Sequence, residues 1–128
     1  MTTARRTVRF WAGLDFLVTL PLVVPPGVAV LLDLLNGLNR AFGGTGALSL
    51  SATGMLFACL TGALAVTWAV ARWWRADAGL GRLDAVARLW VGAVIVVAVL
   101  QGLPPVLLLF VVTEWAGAAH QFFSLRRR

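Results

Sequence analysis

Four apolar segments dominate the chain, and each is about as long as a bilayer crossing requires. They lie at about residues 8–25, 52–74, 83–101 and 104–125. A transmembrane helix needs about 20 mainly apolar residues. The 128-residue sequence is 60% hydrophobic with a mean hydropathy of +0.89, well above the roughly 45–50% apolar content of a soluble domain. Because a chain of this length cannot hide so much apolar surface from water, we predict one all-α integral membrane domain, residues 1–128.

A further helix is indicated between the first two apolar segments, at residues 26–42. At about 100° per residue its leucines and valines fall on one side, and Asp33, Asn36 and Arg40 fall on the other. A double proline at 25–26 separates it from the preceding segment. The pattern favours an amphipathic helix lying flat in the membrane interface, with fusion to the first span as the alternative. The predicted fold is therefore four transmembrane helices in an up-down bundle plus one amphipathic interfacial helix after the first span.

The distribution of arginine predicts the orientation. All 11 basic residues are arginine: three lie at the N-terminus, four surround the turn between the second and third segments, three end the chain, and Arg40 alone follows the first segment. The positive-inside rule then predicts that both termini are cytoplasmic and that the chain is integral to the cell (inner) membrane. Because the arginines lie at segment ends rather than along one face, we expect no nucleic-acid partner.

Several polar side chains fall inside the apolar segments, where an ionisable group is costly unless it is paired, protonated or hydrated. The candidate intramembrane polar site consists of Asp15, Thr19, Thr113, Glu114, His120 and Gln121. On the last segment, Gly117, Ala118 and Gln121 lie on the same face as Glu114, and this face is predicted to meet protein. Glu114 has three open interpretations: a structural acid, a contact with another subunit, or a transport group.

Depth arithmetic suggests how these groups pair. At about 1.5 Å per residue, Asp15 and His120 each lie about 9 Å inside the arginines that end their segments, and Thr19 and Glu114 each lie about 15 Å inside. If the first and last spans are neighbours, Asp15 is predicted to meet His120. The same argument predicts that Thr19 meets Glu114.

Small residues mark the predicted helix-packing positions, which are Gly54, Ala58, Gly62 and Gly117. The first three follow a four-residue spacing that lets helix backbones approach closely. We favour packing within the monomer over a dimer contact. Asp84 and Arg88, at i,i+4 spacing, are predicted to form an ion pair that shields a helix end.

Most catalytic and cofactor chemistries lack their residues. Cys59 is the only cysteine and His120 the only histidine, so cysteine-rich zinc sites and bis-histidine haem ligation within a monomer are excluded. The sequence contains neither an HExxH motif nor a phosphate-binding loop. We therefore expect no enzyme activity, no metal and no cofactor.

Three functions fit this pattern. The first is an accessory or assembly subunit of a larger membrane complex, because the chain has almost no soluble loops and contains a buried acid that needs a partner. The second is a small oligomeric carrier or proton-coupled transporter that uses Glu114. The third is a lipid- or quinone-binding membrane protein. The expected partners are the lipid bilayer and a homo- or hetero-oligomeric membrane protein.

Overall fold

The protein is all-helical in the computed structural model, which describes residues 3–126. The five helices are α1 Thr3–Thr19, α2 Pro25–Ala41, α3 Ala52–Trp74, α4 Ala78–Leu100 and α5 Leu108–Arg126. Two short 3₁₀ turns, Leu20–Val23 and Pro105–Leu107, follow α1 and precede α5. The predicted all-α class is confirmed, and α2, α3 and α5 lie close to their predicted positions.

Three helices are long and apolar enough to cross a membrane by themselves. They are α3, α4 and α5 with its preceding turn, at 23, 23 and 22 residues and mean hydropathies of 1.8, 2.2 and 1.4. The helical segments Thr3–Val23 and Pro25–Ala41 meet the same test only as a pair, and they are bent by 110° at the break between them. By length and composition, residues 3–126 contain three to four possible spans.

The bend between α1 and α2 is fixed by local chemistry. Val24 is extended at φ −132° and ψ 144°, and α2 begins at Pro25, where a missing N–H costs nothing. Gly27 is also required, because an added Cβ would lie 2.1 Å from the carbonyl oxygen of Pro21. The double proline therefore separates two helices, and a single straight span is ruled out.

The polar stripe of α2 only partly faces outward. Asn36 donates to the Leu48 carbonyl at 2.9 Å and accepts from the Leu48 N–H at 2.7 Å. Asn39 is buried and donates to two carbonyls of the connector 43–51. Asp33 and Arg40 remain exposed. The polar side of this helix is therefore not wholly exposed, in contrast to what an amphipathic helix at the interface would predict. The connector 43–51 folds back on α2 and forms hydrogen bonds with both asparagines.

Side-chain caps set the starts of α3 and α4. Ser51 accepts a hydrogen bond from the Gly54 N–H at 3.1 Å, and Asp77 accepts one from the Leu80 N–H at 2.9 Å. The second cap starts α4 at Ala78, five residues before the predicted span at 83. The turn between α3 and α4 is correspondingly short.

The helices form a bundle with two different ends. α4 packs along α5, α1 packs mainly on α3, and α2 contacts both 3₁₀ turns. The terminal end holds the start of α1, the α3–α4 turn and the end of α5. There Arg9 Nε donates to the Trp73 carbonyl and Arg82 Nη2 donates to the Leu125 carbonyl, each at 3.2 Å. The opposite end, where α2 lies, is called the α2 end.

Burial is inverted relative to a soluble protein. Large apolar side chains such as Leu64, Trp90 and Leu100 are exposed, whereas Arg72 and Gln121 are among the largest fully buried side chains. A protein in water buries its apolar residues and leaves arginine outside. Several long apolar helices with such surfaces are compatible with a membrane-embedded protein.

Candidate functional site

The centre of the bundle is a group of five charged residues that we call the ionic cluster. It consists of Asp15 on α1, Arg72 on α3, Asp84 and Arg88 on α4, and Glu114 on α5. The two arginine side chains are only 1% and 5% exposed. Four of the five helices therefore meet through charges.

Arg88 connects three helices. Its Nε donates to Asp84 Oδ2 at 2.8 Å, its Nη1 donates to Glu114 Oε2 at 3.1 Å, and its Nη2 donates to Asp15 Oδ2. The guanidinium also lies 4.9 Å from the centre of the Trp11 ring, a cation–π contact that further stabilises a desolvated arginine. Because guanidinium stays protonated in proteins, this residue is a permanent positive charge inside the bundle.

Arg72 and Asp84 form the most enclosed part of the cluster. Arg72 Nη1 lies 2.6 Å from Asp84 Oδ2, and Arg72 Nη2 donates to Asp15. Asp84 also accepts from Trp68 Nε1 at 3.0 Å and from Gln121 Nε2 at 2.8 Å. With donors from three helices, Asp84 is held as a fully surrounded carboxylate.

The other two carboxylates are less enclosed. The Asp15 and Glu114 side chains are 21% and 23% exposed, compared with 5% for Asp84. Both line a cavity of about 350 Å³ between α1, α2 and α5, which we call the α2 cavity. The cluster therefore has one closed side at Asp84 and one side that opens into the cavity.

The two sides of the α2 cavity differ in chemistry. The side formed by α2 is apolar and consists of Leu31, Leu34, Leu35 and Leu38. The facing side carries Asp15, Thr19, Thr113, Glu114 and Arg88 among apolar residues of α1 and α5, which are Trp11, Leu14, Val18, Leu109 and Phe110. A mainly apolar cavity with a few polar groups on one side is suited to an amphipathic molecule.

The predicted pairing of Asp15 with His120 is wrong. Asp15 instead pairs with Arg72 and Arg88, which attract a carboxylate more strongly than a neutral imidazole does. His120 is exposed, and its Nδ1 accepts a hydrogen bond from Trp11 Nε1 at 3.0 Å. His120 thus lies beside Trp11, about one helical turn before Asp15 on α1, and Asp15 faces α3 and α4.

The predicted pairing of Thr19 with Glu114 is also replaced by other bonds. Thr19 donates to the backbone carbonyl of Asp15 at 2.7 Å, and Thr113 donates to the carbonyl of Phe110 at 2.9 Å. Glu114 binds Arg88. Both threonines nevertheless line the same cavity as Glu114, so the structure gathers these predicted residues without bonding them to one another.

The small residues on the predicted faces permit close contacts. Gly117, Ala118 and Gln121 are buried on one face of α5. A Cβ on Gly117 would lie 3.1 Å from Arg88 Nη1, and one on Gly62 would lie 2.6 Å from Leu22. Gly62 thus packs against the turn after α1, within the monomer.

The other two predicted packing positions are less constrained. Ala58 is partly buried, and Gly54 lies nearest to Leu50 and Ser51, just before its own helix. The four-residue spacing therefore marks one close backbone approach, at Gly62, rather than a continuous contact along α3.

Sequence reasoning missed the central role of two arginines. Arg72 and Arg88 were interpreted as flanking residues of the second turn, but both are buried. The predicted Asp84–Arg88 ion pair does exist, at 2.8 Å, although it lies in the core and does not shield a helix end. Room for the Arg88 side chain is left by Gly117 on α5, where an added Cβ would lie 3.1 Å from Arg88 Nη1.

Among residues 3–126, no group of three or more His, Cys, Asp or Glu side chains is placed to hold a metal ion. Comparison of the chain with protein-family models, curated proteins and solved structures gave no significant match. The ionic cluster and the α2 cavity are therefore the features of the molecule that bear on its function.

Proposed function

We propose that the chain crosses the inner membrane four times, with both termini cytoplasmic and α2 lying at the outer surface. The exposed arginines support this orientation. Arg6, Arg75, Arg82 and Arg126 lie at the terminal end, and Arg40 lies at the α2 end. Arg72 and Arg88 are buried, so they no longer count as arginines that flank a span. The exposed arginines are still more numerous at the terminal end than at the α2 end. Arg127 and Arg128 lie outside the described residues.

Within this arrangement, the α2 cavity binds an amphipathic, lipid-like molecule. The observation that carries the proposal is the pairing of four α2 leucines with two partly exposed carboxylates across about 350 Å³. Ligand sites have volumes of about 300–1,000 Å³ and combine apolar walls with a few polar groups. This is the lipid- or quinone-binding function among the three that the sequence suggests.

The ionic cluster bears on the two competing functions. Glu114 pairs with Arg88 of the same chain, so its charge does not require another subunit. In the carrier interpretation Glu114 is the titrating group, and that interpretation predicts proton-linked flux in liposomes that Glu114→Gln abolishes. Retained flux in this variant, or no flux in the parent protein, argues against a carrier.

Cavity filling tests the proposed function. Leu38 lines the α2 cavity, so Leu38→Trp should occupy it. Val30 lies on the same helix but is 69% exposed and is not part of the lining, which makes Val30→Trp the matched control. We expect native mass spectrometry to show one retained lipid-like molecule on the parent protein and the control, and none on Leu38→Trp.

The experiment has two unfavourable results. Equal retention by both tryptophan variants would place any bound molecule elsewhere. A parent protein that releases every amphiphile during purification, and gains no thermal stability when membrane lipids are added back, would remove the proposal. Circular dichroism of each variant checks that the helices are intact.

A second candidate is the accessory or assembly subunit, which the outer faces of α3 and α4 favour. Leu64 and Trp90 on these helices are both 73% exposed, and either lipid or a partner helix would cover them. A photoreactive residue at position 90 should crosslink to one defined membrane protein if a partner is present. Crosslinking to lipid alone would leave the candidate unsupported.

A further inference from the structure

The charges of the ionic cluster do not balance, and the imbalance faces the α2 cavity. We propose that the ligand of this cavity is an amphiphile with a single ammonium headgroup, which lies between Asp15 and Glu114 while its chain lies along the α2 leucines. This inference rests on the proposed binding function and specifies the chemical class of the ligand.

The ionic cluster contains more acidic groups than basic groups. The cluster contains three carboxylates, from Asp15, Asp84 and Glu114, and two guanidiniums, from Arg72 and Arg88. With every group ionised, the carboxylates outnumber the guanidiniums by one. Arginine cannot lose its proton to change this balance, and an uncompensated charge away from water is costly. The excess negative charge requires a proton or a further cation.

The excess negative charge lies on the acids that line the α2 cavity. Asp84 is enclosed: it forms an ion pair with Arg72 and accepts hydrogen bonds from Arg88, Trp68 and Gln121. Asp15 and Glu114 each bind arginine through one oxygen, Oδ2 and Oε2 respectively. Among the side chains of residues 3–126, none donates a hydrogen bond to the other oxygen of either carboxylate. The unused acceptors are therefore on the two acids that line the cavity.

The unused carboxylate oxygens of Asp15 and Glu114 fit an ammonium group. A primary ammonium carries three donors and no acceptor, so it can bind two carboxylate oxygens and bring the cluster to neutrality. A neutral hydroxyl can form hydrogen bonds but leaves the excess charge, and a carboxylate headgroup adds to it. Leu31, Leu34, Leu35 and Leu38 provide the wall for an alkyl chain.

The experiment compares three amphiphiles that share a dodecyl chain and differ in headgroup. Dodecylamine, dodecanol and dodecanoic acid are titrated into the purified full-length protein at fixed maltoside concentration, and the rise in Tm is followed. We expect dodecylamine to reach its half-maximal effect at a concentration at least tenfold below that of dodecanol. Dodecanoic acid should have the weakest effect.

Two carboxylate variants localise the preference. Glu114→Gln removes a charge from the cavity and keeps an oxygen that can accept from Arg88, and it should reduce the preference for the amine over the alcohol to below threefold. Asp33→Asn removes an acid from the exposed side of α2 and should leave the preference unchanged. The comparison of headgroups on the parent protein stands even if Glu114→Gln does not fold.

The possible failures are distinguishable. If dodecanol binds as well as dodecylamine, a proton already balances the cluster, and the ammonium inference is overturned while the binding function survives. If all three amphiphiles act equally on the parent protein and on Leu38→Trp, no binding occurs in the α2 cavity, and both proposals fail. Loss of the amine preference in Asp33→Asn as well as Glu114→Gln would show that the preference reflects net charge rather than the cavity.

Discussion

At the centre of the bundle, four helices meet through charged side chains, whereas at the α2 end the elements meet through leucines and hydrogen bonds to backbone. Arg88 alone contacts acids on three helices. At the α2 end the best-defined polar contact is the double hydrogen bond between Asn36 and Leu48. Directional contacts therefore determine which helices are neighbours in one region, and in the other the α2 leucines form a less directional apolar side of a cavity that the ionic cluster also lines.

The contrast indicates which part of the bundle depends most strongly on paired charges. A buried ion pair contributes little net stability compared with an apolar replacement, but breaking one leaves a costly unpaired charge. The charged region should therefore tolerate few single substitutions. The α2 end should tolerate more, because a changed leucine or a lost hydrogen bond leaves no isolated charge.

The largest effect is expected for Arg88→Met, because it leaves three carboxylates with one guanidinium. Breaking a buried ion pair costs about 3–5 kcal/mol, and this loss of unfolding free energy should appear in denaturant titrations in detergent followed by circular dichroism. Arg75→Met, at an exposed arginine of the nearby turn, is the control and should change little. A stable Arg88→Met protein would contradict the view that charges hold this region together.

A smaller effect is expected for Gly117→Ala, whose new methyl would lie 3.1 Å from both Arg88 Nη1 and Trp11 Cζ3. Overpacking a filled core costs about 1–3 kcal/mol. Gly37 on α2 has no neighbour within 4 Å of an added Cβ, so Gly37→Ala should instead stabilise the protein by up to about 1 kcal/mol through helix propensity. Equal effects of the two alanines on unfolding free energy would remove the contrast.

The α2 end is tested by Asn36→Ala, which deletes two hydrogen bonds to Leu48. At about 0.5–1.5 kcal/mol per bond, we expect a modest loss of stability together with faster proteolysis of the connector 43–51. Asp33→Ala, on the exposed side of the same helix, should have no such effect. Unchanged proteolysis in Asn36→Ala would mean that α2 does not hold the connector.

The smallest effect is expected for His120→Ala. It removes the acceptor for Trp11 Nε1 and an edge-to-face ring contact with the same residue at the edge of the charged region. The lost hydrogen bond sets the scale of the effect, about 0.5–1.5 kcal/mol. The measurement is the shift in Tm relative to the parent protein. A loss of stability as large as that of Arg88→Met would mean that His120 is as important to the charged region as Arg88.

Sequence reasoning located the helices better than it located their neighbours. The span predicted at 52–74 coincides with α3, and the helix predicted at 26–42 lies within one residue of α2. Hydrophobic length and proline placement are local properties of the chain, so they can be read without tertiary information. The start of α4 was missed because the Asp77 cap lies in a polar turn outside the apolar run.

The ionic cluster was only partly predictable. Asp15 and Glu114 were singled out because an acid in an apolar segment is conspicuous, and one i,i+4 pair was recognised on α4. Arg72 was treated as a membrane-end residue because two tryptophans follow it. Depth along a helix follows from residue counting, but which way a side chain points depends on helix rotation, and that is set by contacts 57 and 73 residues apart.

The long separation between Asp15 and its partners has a consequence for biosynthesis. The carboxylate of Asp15 emerges from the ribosome before either guanidinium that pairs with it, by 57 residues for Arg72 and 73 for Arg88. The ion pairs that join α1 to α3 and α4 can therefore form only after those two helices have been translated.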